Sequence, residues 1–245
     1  MFKDWEVPLG FKRISVALVL VSLLAACSTV KKTALAPESK QKIKTVAVFE
    51  TPEPQEYFLN PGQLPGGAAL YAFGALGGLV LGGIEANRMQ NATSEFMAAI
   101  KPTQPDVARH WNENVLSHLL AKGYQATVLP PMTKSESKDT EVCGSVAGKY
   151  DAVLFTGIST GYAETSSVAP RVVASVRLLA GDCQQTYFEE TFLYAAQPLG
   201  SLTHLPSDVQ FTFPTRAALI ADPLKAKEAL RSGLGEIAKK AASAL

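Results

Sequence analysis

Asp151-Ala152-Val153-Leu154-Phe155-Thr156-Gly157-Ile158, followed by Arg171-Val172-Val173-Ala174-Ser175-Val176-Arg177-Leu178-Leu179, decides the fold. The first run is almost continuously apolar, as befits a strand buried on both faces near the middle of a sheet. The second alternates: Val172, Ala174, Val176 and Leu178 face one way, and Arg171, Ser175 and Arg177 the other. Gly181-Asp182 supplies a turn and Gln185 to Tyr194 runs back, which predicts a hairpin with one wet face.

Working outward, Ile43 to Phe49 reads as another buried strand, and prolines 52, 54, 61 and 65 keep Thr51 to Gly66 out of regular structure. Thr103 to Lys122 reads as an amphipathic helix. Thr103 or Gln104 is its cap, Pro105 lies in its first turn, Asp106 favours its positive end, and Gly123 stops it. Its stripe is Val107, Trp111, Val115 and Leu119, which makes Trp111 a core residue. Gln125 to Leu129 is a short strand, Val209 to Phe213 a further candidate, and Asp222-Pro223 opens a last helix with Leu230, Leu234, Ile237 and Ala241 on one side. The expected class is α/β (α+β): a mixed sheet of about five strands with two amphipathic helices on one face, plus an inserted glycine-rich apolar helix.

That insertion spans residues 64–89. No charge occurs from Leu64 to Ile84, and Gly74, Gly78, Gly82 and Ala86 recur every four residues. In a helix they form one side-chain-free groove, opposite Leu76, Leu79, Val80 and Leu81. Each glycine costs a water-exposed helix roughly 1 kcal/mol, so the groove calls for a covering surface. Three readings stay open: a helix on its own sheet, a membrane-associating or self-associating helix of the small-xxx-small kind, and an irregular loop.

At the N-terminus, Lys12-Arg13 precedes an apolar run from Ile14 to Leu24 that suits a secretory signal and is short for a membrane span. Leu24-Ala25-Ala26-Cys27 then resembles the lipobox of bacterial lipoproteins. That resemblance implies cleavage after residue 26, a covalent lipid on Cys27 as the only attached group, and no other cofactor. In Gram-negative members Ser28, in place of Asp, goes with export to the outer membrane, periplasmic face; the outer face of the cytoplasmic membrane is the alternative. The expected organisation is a signal peptide (1–26), a flexible tether (27–41) and one periplasmic domain (42–245).

Removing residues 1–26 leaves 219 residues with 20 basic and 20 acidic side chains. A neutral chain of this kind gives no reason to expect nucleic acid as a partner. With Cys27 assigned to lipid, Cys143 and Cys183 remain in an oxidising compartment, and a disulfide between them is expected. Closing that loop of roughly 40 residues adds about 3–4 kcal/mol in the chain-entropy account.

A strand, a helix ending Leu119-x-x-x-Gly123-Tyr124, and a strand beginning Tyr150-Asp151-Ala152-Val153-Leu154 form a further pattern. It resembles the small periplasmic domains of the curli-secretion-channel family, the lipoprotein activators of penicillin-binding proteins and the N-terminal domain of the Tol translocation protein. The resemblance covers about Ile43–Leu245 without the glycine segment, and its secretion-channel branch implies a membrane-associated oligomer whose copies pack the Gly74, Gly78 and Gly82 grooves together to line a pore or scaffold.

Catalytic motifs fare poorly. Gly157-Ile158-Ser159-Thr160-Gly161 matches a nucleophile elbow, with Asp182 or Asp208 and His204 as paper partners, but the elbow needs a helix at once and a Ser/Thr-rich turn follows. Gly144 to Lys149 is one residue short of a phosphate loop and puts Tyr150 where Ser or Thr would hold magnesium. His110 and His118 lie eight apart, against four in a zincin helix. The sequence therefore points to a non-enzymatic module that docks an envelope protein or self-associates through Gly74, Gly78 and Gly82, with Arg171 and Arg177 as candidate edges of a binding surface.

Overall fold

The computed structural model describes residues 32–62, 74–132 and 146–245, with the backbone alone for 74–84. Seven strands form one mixed sheet: β1 (Thr45–Phe49), β2 (Phe58–Asn60), β3 (Gln125–Leu129), β4 (Ala152–Glu164), β5 (Val168–Ala180), β6 (Thr186–Ala195) and β7 (Thr203–Pro206). Their order is β3-β1-β4-β5-β6-β7. β4 is shared between two parallel partners, with β1 beside its first three residues (Val46 opposite Ala152) and β2 beside residues near its end (Phe58 opposite Gly161). β5 and β6 form the antiparallel hairpin that the alternation predicts, and β4 also pairs antiparallel with β5.

The sheet-plus-helix class stands, and several details change. The described residues form seven strands, not about five. β2 lies inside the proline-rich stretch, where three residues suffice to pair with β4. The last strand is Thr203–Pro206, while Val209–Phe211 is a 3-10 turn that aims Phe211 inward.

The helices are α1 (Pro37–Lys42), α2 (Gly74–Ile100), α3 (Val107–Ala121), α4 (Arg216–Ala221) and α5 (Pro223–Ala244). α3 and α5 bury their apolar stripes, Val107-Trp111-Val115-Leu119 and Leu230-Leu234-Ile237-Ala241, in the main core. Trp111 is core as expected, and its indole N–H donates to Thr156 Oγ1 at 3.0 Å. α3 is not capped from within. Asp106 sits at φ +47° and caps nothing, and the Glu53 carboxylate instead accepts from the amides of Val107 (3.2 Å) and Ala108 (2.8 Å). A carboxylate there also meets the positive end of the helix.

The glycine row opens α2, and the helix runs on to Ile100. Ala92, Phe96 and Ile100, again four apart, are fully buried, and Phe96 meets Tyr162 edge-on at 5.4 Å. One half of α2 is thus anchored in the core, and the other half carries the glycines.

The tether also differs from expectation. From Lys32 onward it is fastened. The Lys32 ammonium lies 2.6 Å from the carboxylate of buried Glu190, Thr33 exchanges backbone hydrogen bonds with Glu189 (2.8 and 3.0 Å), and Leu35 packs on the core. α1 then leads into β1. Glu190 sits between Phe188 and Phe192 on the helix-facing side of β6, so a cation must reach it.

The sheet has two distinguishable ends. At the Asp151 end, β1 and β4 begin and α3 and α5 finish: Lys122 Nζ donates to the Ser243 carbonyl (3.3 Å), and Tyr124 OH to that of Leu245 (2.8 Å). At the Glu164 end, β4 and β6 finish and β5 begins. The far face of the sheet carries a small apolar cluster in which Phe49 and Phe155 stack at 5.2 Å, with the Arg177 guanidinium 5.6 Å from the Phe155 centroid.

Candidate functional site

A cleft of about 870 Å³ opens at the Glu164 end. Asn60 and Gly62 from the end of β2, Ala163 and Glu164 from β4, Arg171 from β5 and Met89 from α2 supply its walls. Gly62, at φ +68°, passes so close to β4 that a Cβ would lie 2.6 Å from the Glu164 carbonyl, and Asn60 Oδ1 accepts from its amide at 3.1 Å. A narrower cavity of about 140 Å³ shares Ala163, Arg171 and Gln197 with the cleft and extends it over Leu193, Pro198 and Leu199.

The two nearest charges differ in state. Glu164 is spent: Arg216 donates Nε (2.6 Å) and an Nη (2.9 Å) to its two oxygens, and that fork pushes the Arg216 guanidinium above its ordinary value. Arg171 lines both cavities, is half-buried, and its guanidinium has no hydrogen-bond or ion-pair partner among the described residues. Arg88 on α2 has Nη1 buried without an acceptor. Partly shielded guanidinium nitrogens without acceptors forgo interactions worth more than an ordinary hydrogen bond. A carboxylate entering the cleft can supply them to Arg171. Glu85, also in the wall, sets the opposite sign on the α2 side.

The expected site residues fall as follows. Cys27, Ser28 and Cys143 lie outside the described residues. Gly74, Gly78 and Gly82 lie in the helical backbone of α2, and the surroundings of their faces lie outside the described residues. Ala86, last of the row, is exposed and lines the cleft. Cys183 occupies the β5–β6 turn at φ +57° and packs beside the Phe49–Phe155 cluster. Arg171 joins the cleft, whereas Arg177 lies over Phe155. Asn60, Glu85 and Gln197 were not singled out in the sequence; only the fold brings them together.

The elbow motif has a structural explanation. Residues 157–161 lie within uninterrupted β4, so no strand-to-helix turn holds Ser159. Gly161 is required because a Cβ there would lie 2.0 Å from the Phe58 carbonyl of β2. His204 is on β7, its Nε2 2.8 Å from the Ala195 carbonyl, and Asp182 accepts from the Gln184 amide in the distant β5–β6 turn. Among the described residues no group of three or more His, Cys, Asp or Glu could hold a metal, and no helix is long and apolar enough to cross a membrane.

No family model and no curated protein matches this chain. Among solved structures, it is similar to the protein XCC0632 of Xanthomonas campestris, described under the family model DUF330, at 14% identity over 88% of this chain and 93% of that one, with a TM-score of 0.36. It is also similar to the lipoprotein GNA1162 of Neisseria meningitidis, at 10% identity over 64% of this chain and 88% of that one, with a TM-score of 0.28.

Proposed function

We propose that this chain is a lipid-anchored envelope protein that works without catalysis, receiving an acidic, partly apolar segment of a partner protein in the cleft at the Glu164 end. Cys27 carries the lipid, and Ser28 directs it to the periplasmic face of the outer membrane. The observation that carries the docking role is the Arg171 guanidinium, unpaired among the described residues, in a cleft whose extension is lined by Leu193, Pro198 and Leu199. A photo-crosslinking residue at Met89, which is 49% exposed in the cleft wall, tests it in the native host. A discrete cross-linked partner that disappears in R171E supports the reading. Cross-linking that R171E leaves unchanged refutes it.

A second reading is favoured by the helical state of the glycine row: copies associate through Gly74, Gly78 and Gly82. Replacing all three by leucine then abolishes assembly on a sizing column in detergent, while the folded core persists because the anchoring half of α2 begins at Ala92.

We also propose the Cys143–Cys183 disulfide. Val146, three residues after Cys143 in sequence, is buried in the same small cluster that Cys183 packs against, which supports this pairing. A mass difference of two hydrogens between native and reduced protein supports it, and two free thiols by alkylation refute it.

A further inference from the structure

The fastened tether limits where the anchored domain can go. Residues 28–31 alone separate Cys27 from Lys32, whose ammonium is fixed on Glu190. Five Cα steps span at most roughly 18 Å. β4 with its 13 residues is about 40 Å long at roughly 3.3 Å per residue, so the leash is shorter than the domain. Lys32 is therefore held within that reach of the bilayer, close enough for one face of the domain to rest there.

We infer that the Asp151 end is that face, and that it is a docking surface for anionic phospholipid headgroups. This rests on the reading of Cys27 as the lipid anchor. The fastened strand leads directly into α1, which lies at this end and carries Lys40 and Lys42, followed by Lys44. Lys122, at the end of α3, completes the group, and none of the four forms an ion pair with a described carboxylate. Burial, and then the facing Lys40 ammonium, lower the Lys122 pKa, so two like charges are held close together. Among the described residues three side-chain carboxylates share this end. Asp151 is occupied by the amides of Lys44 (2.9 Å) and Thr45 (2.8 Å), Asp182 by the Gln184 amide, and Glu38 stands on α1 itself.

Each lysine near an anionic surface strengthens attachment roughly fivefold, and a basic patch is the second signal that makes a lipid anchor hold. With the Asp151 end on the bilayer, the cleft opens at the far end of the sheet. Gly62 and Glu85, which bracket residues 63–84, both line it, so the glycine half of α2 joins the domain on the side away from the anchoring leaflet.

The test uses the full acylated chain, purified from membranes and reconstituted in phosphatidylcholine vesicles with or without phosphatidylglycerol. A fluorophore is placed by Gln41→Cys on α1 or by Ser166→Cys in the β4–β5 turn, both exposed, and a headgroup spin label is the quencher. Quenching at 41 and not at 166, dependent on phosphatidylglycerol, is expected. The exposed double variant K40Q/K42Q should lower the seated-to-detached ratio by about 25-fold. Quenching equal at both positions, stronger at 166, or indifferent to phosphatidylglycerol overturns the proposal. Intact mass of the same preparation separates the two readings: an unacylated Cys27 overturns the anchor itself, and acylated protein with an unquenched position 41 overturns only the seating.

Discussion

Removing one ammonium, in K32A, should both weaken the fold and free the leash. Glu190 is 8% exposed, and its carboxylate is shared between Lys32 and the Thr203 hydroxyl. Stripping the partner from a fully buried pair costs about 3–5 kcal/mol, because the remaining charge is left in low dielectric. The Lys32 side chain is 62% exposed, so water already screens it, and exposed pairs contribute roughly 0.2–1 kcal/mol. Between these limits we expect a loss of about 1–2 kcal/mol, or roughly 3–6 °C in melting temperature for a chain of this length. Trp111, fully buried and the only tryptophan after residue 26, reports unfolding by fluorescence. The double variant K32A/E190Q should recover part of the loss, since an amide tolerates the site better than an unpaired carboxylate. Hydrogen exchange at the Thr33 amide, bonded to the Glu189 carbonyl at 2.8 Å, should accelerate in K32A. Wild-type melting together with unchanged exchange at Thr33 would refute the fastened leash.

Three further outcomes are expected. E53A removes the acceptor for two first-turn amides of α3 and for the Tyr57 hydroxyl, and should cost about 2 kcal/mol in chemical denaturation. G161A, meeting backbone rather than a yielding side chain, should cost more than 2 kcal/mol and loosen β2, whereas S159A on the open face should stay within about 0.5 kcal/mol. Burial, and then the Arg231 charge, lower the His110 pKa from 6.5. The unfolded chain therefore binds this proton more tightly, so His110's contribution is present above about pH 6.5 and is lost as pH falls through its folded value. H110Q should flatten that part of the stability–pH curve measured by denaturation.

Periodicity carried far into this fold. The alternation at 172–178 placed β5's two faces correctly, and the 107-111-115-119 stripe placed Trp111 in the core. What failed was short or tertiary. Phe58–Asn60 is too brief to show a period among prolines, and Val209 to Phe213 imitates a strand because Phe211 and Phe213 both turn inward. The continuation of α2 was legible in the spacing of Ala92, Phe96 and Ile100. Glu190, acidic at a position whose neighbours two residues away are Phe188 and Phe192, signals a buried charge that needs a cation, but nothing local names Lys32. The cleft lay further from sight. Arg171 stood out as a cation on a wet face, yet its companions Asn60, Glu85 and Gln197 are scattered over the chain and meet only through β2, α2 and the loop after β6.

The lipid on Cys27 is the claim that compartment, leash and docking end all depend on. Intact-mass analysis of the protein from its native host tests it most directly. The expected species begins at Cys27 and carries the added mass of its acyl chains. A mature terminus without acyl mass, or residues 1–26 still attached, would contradict the account.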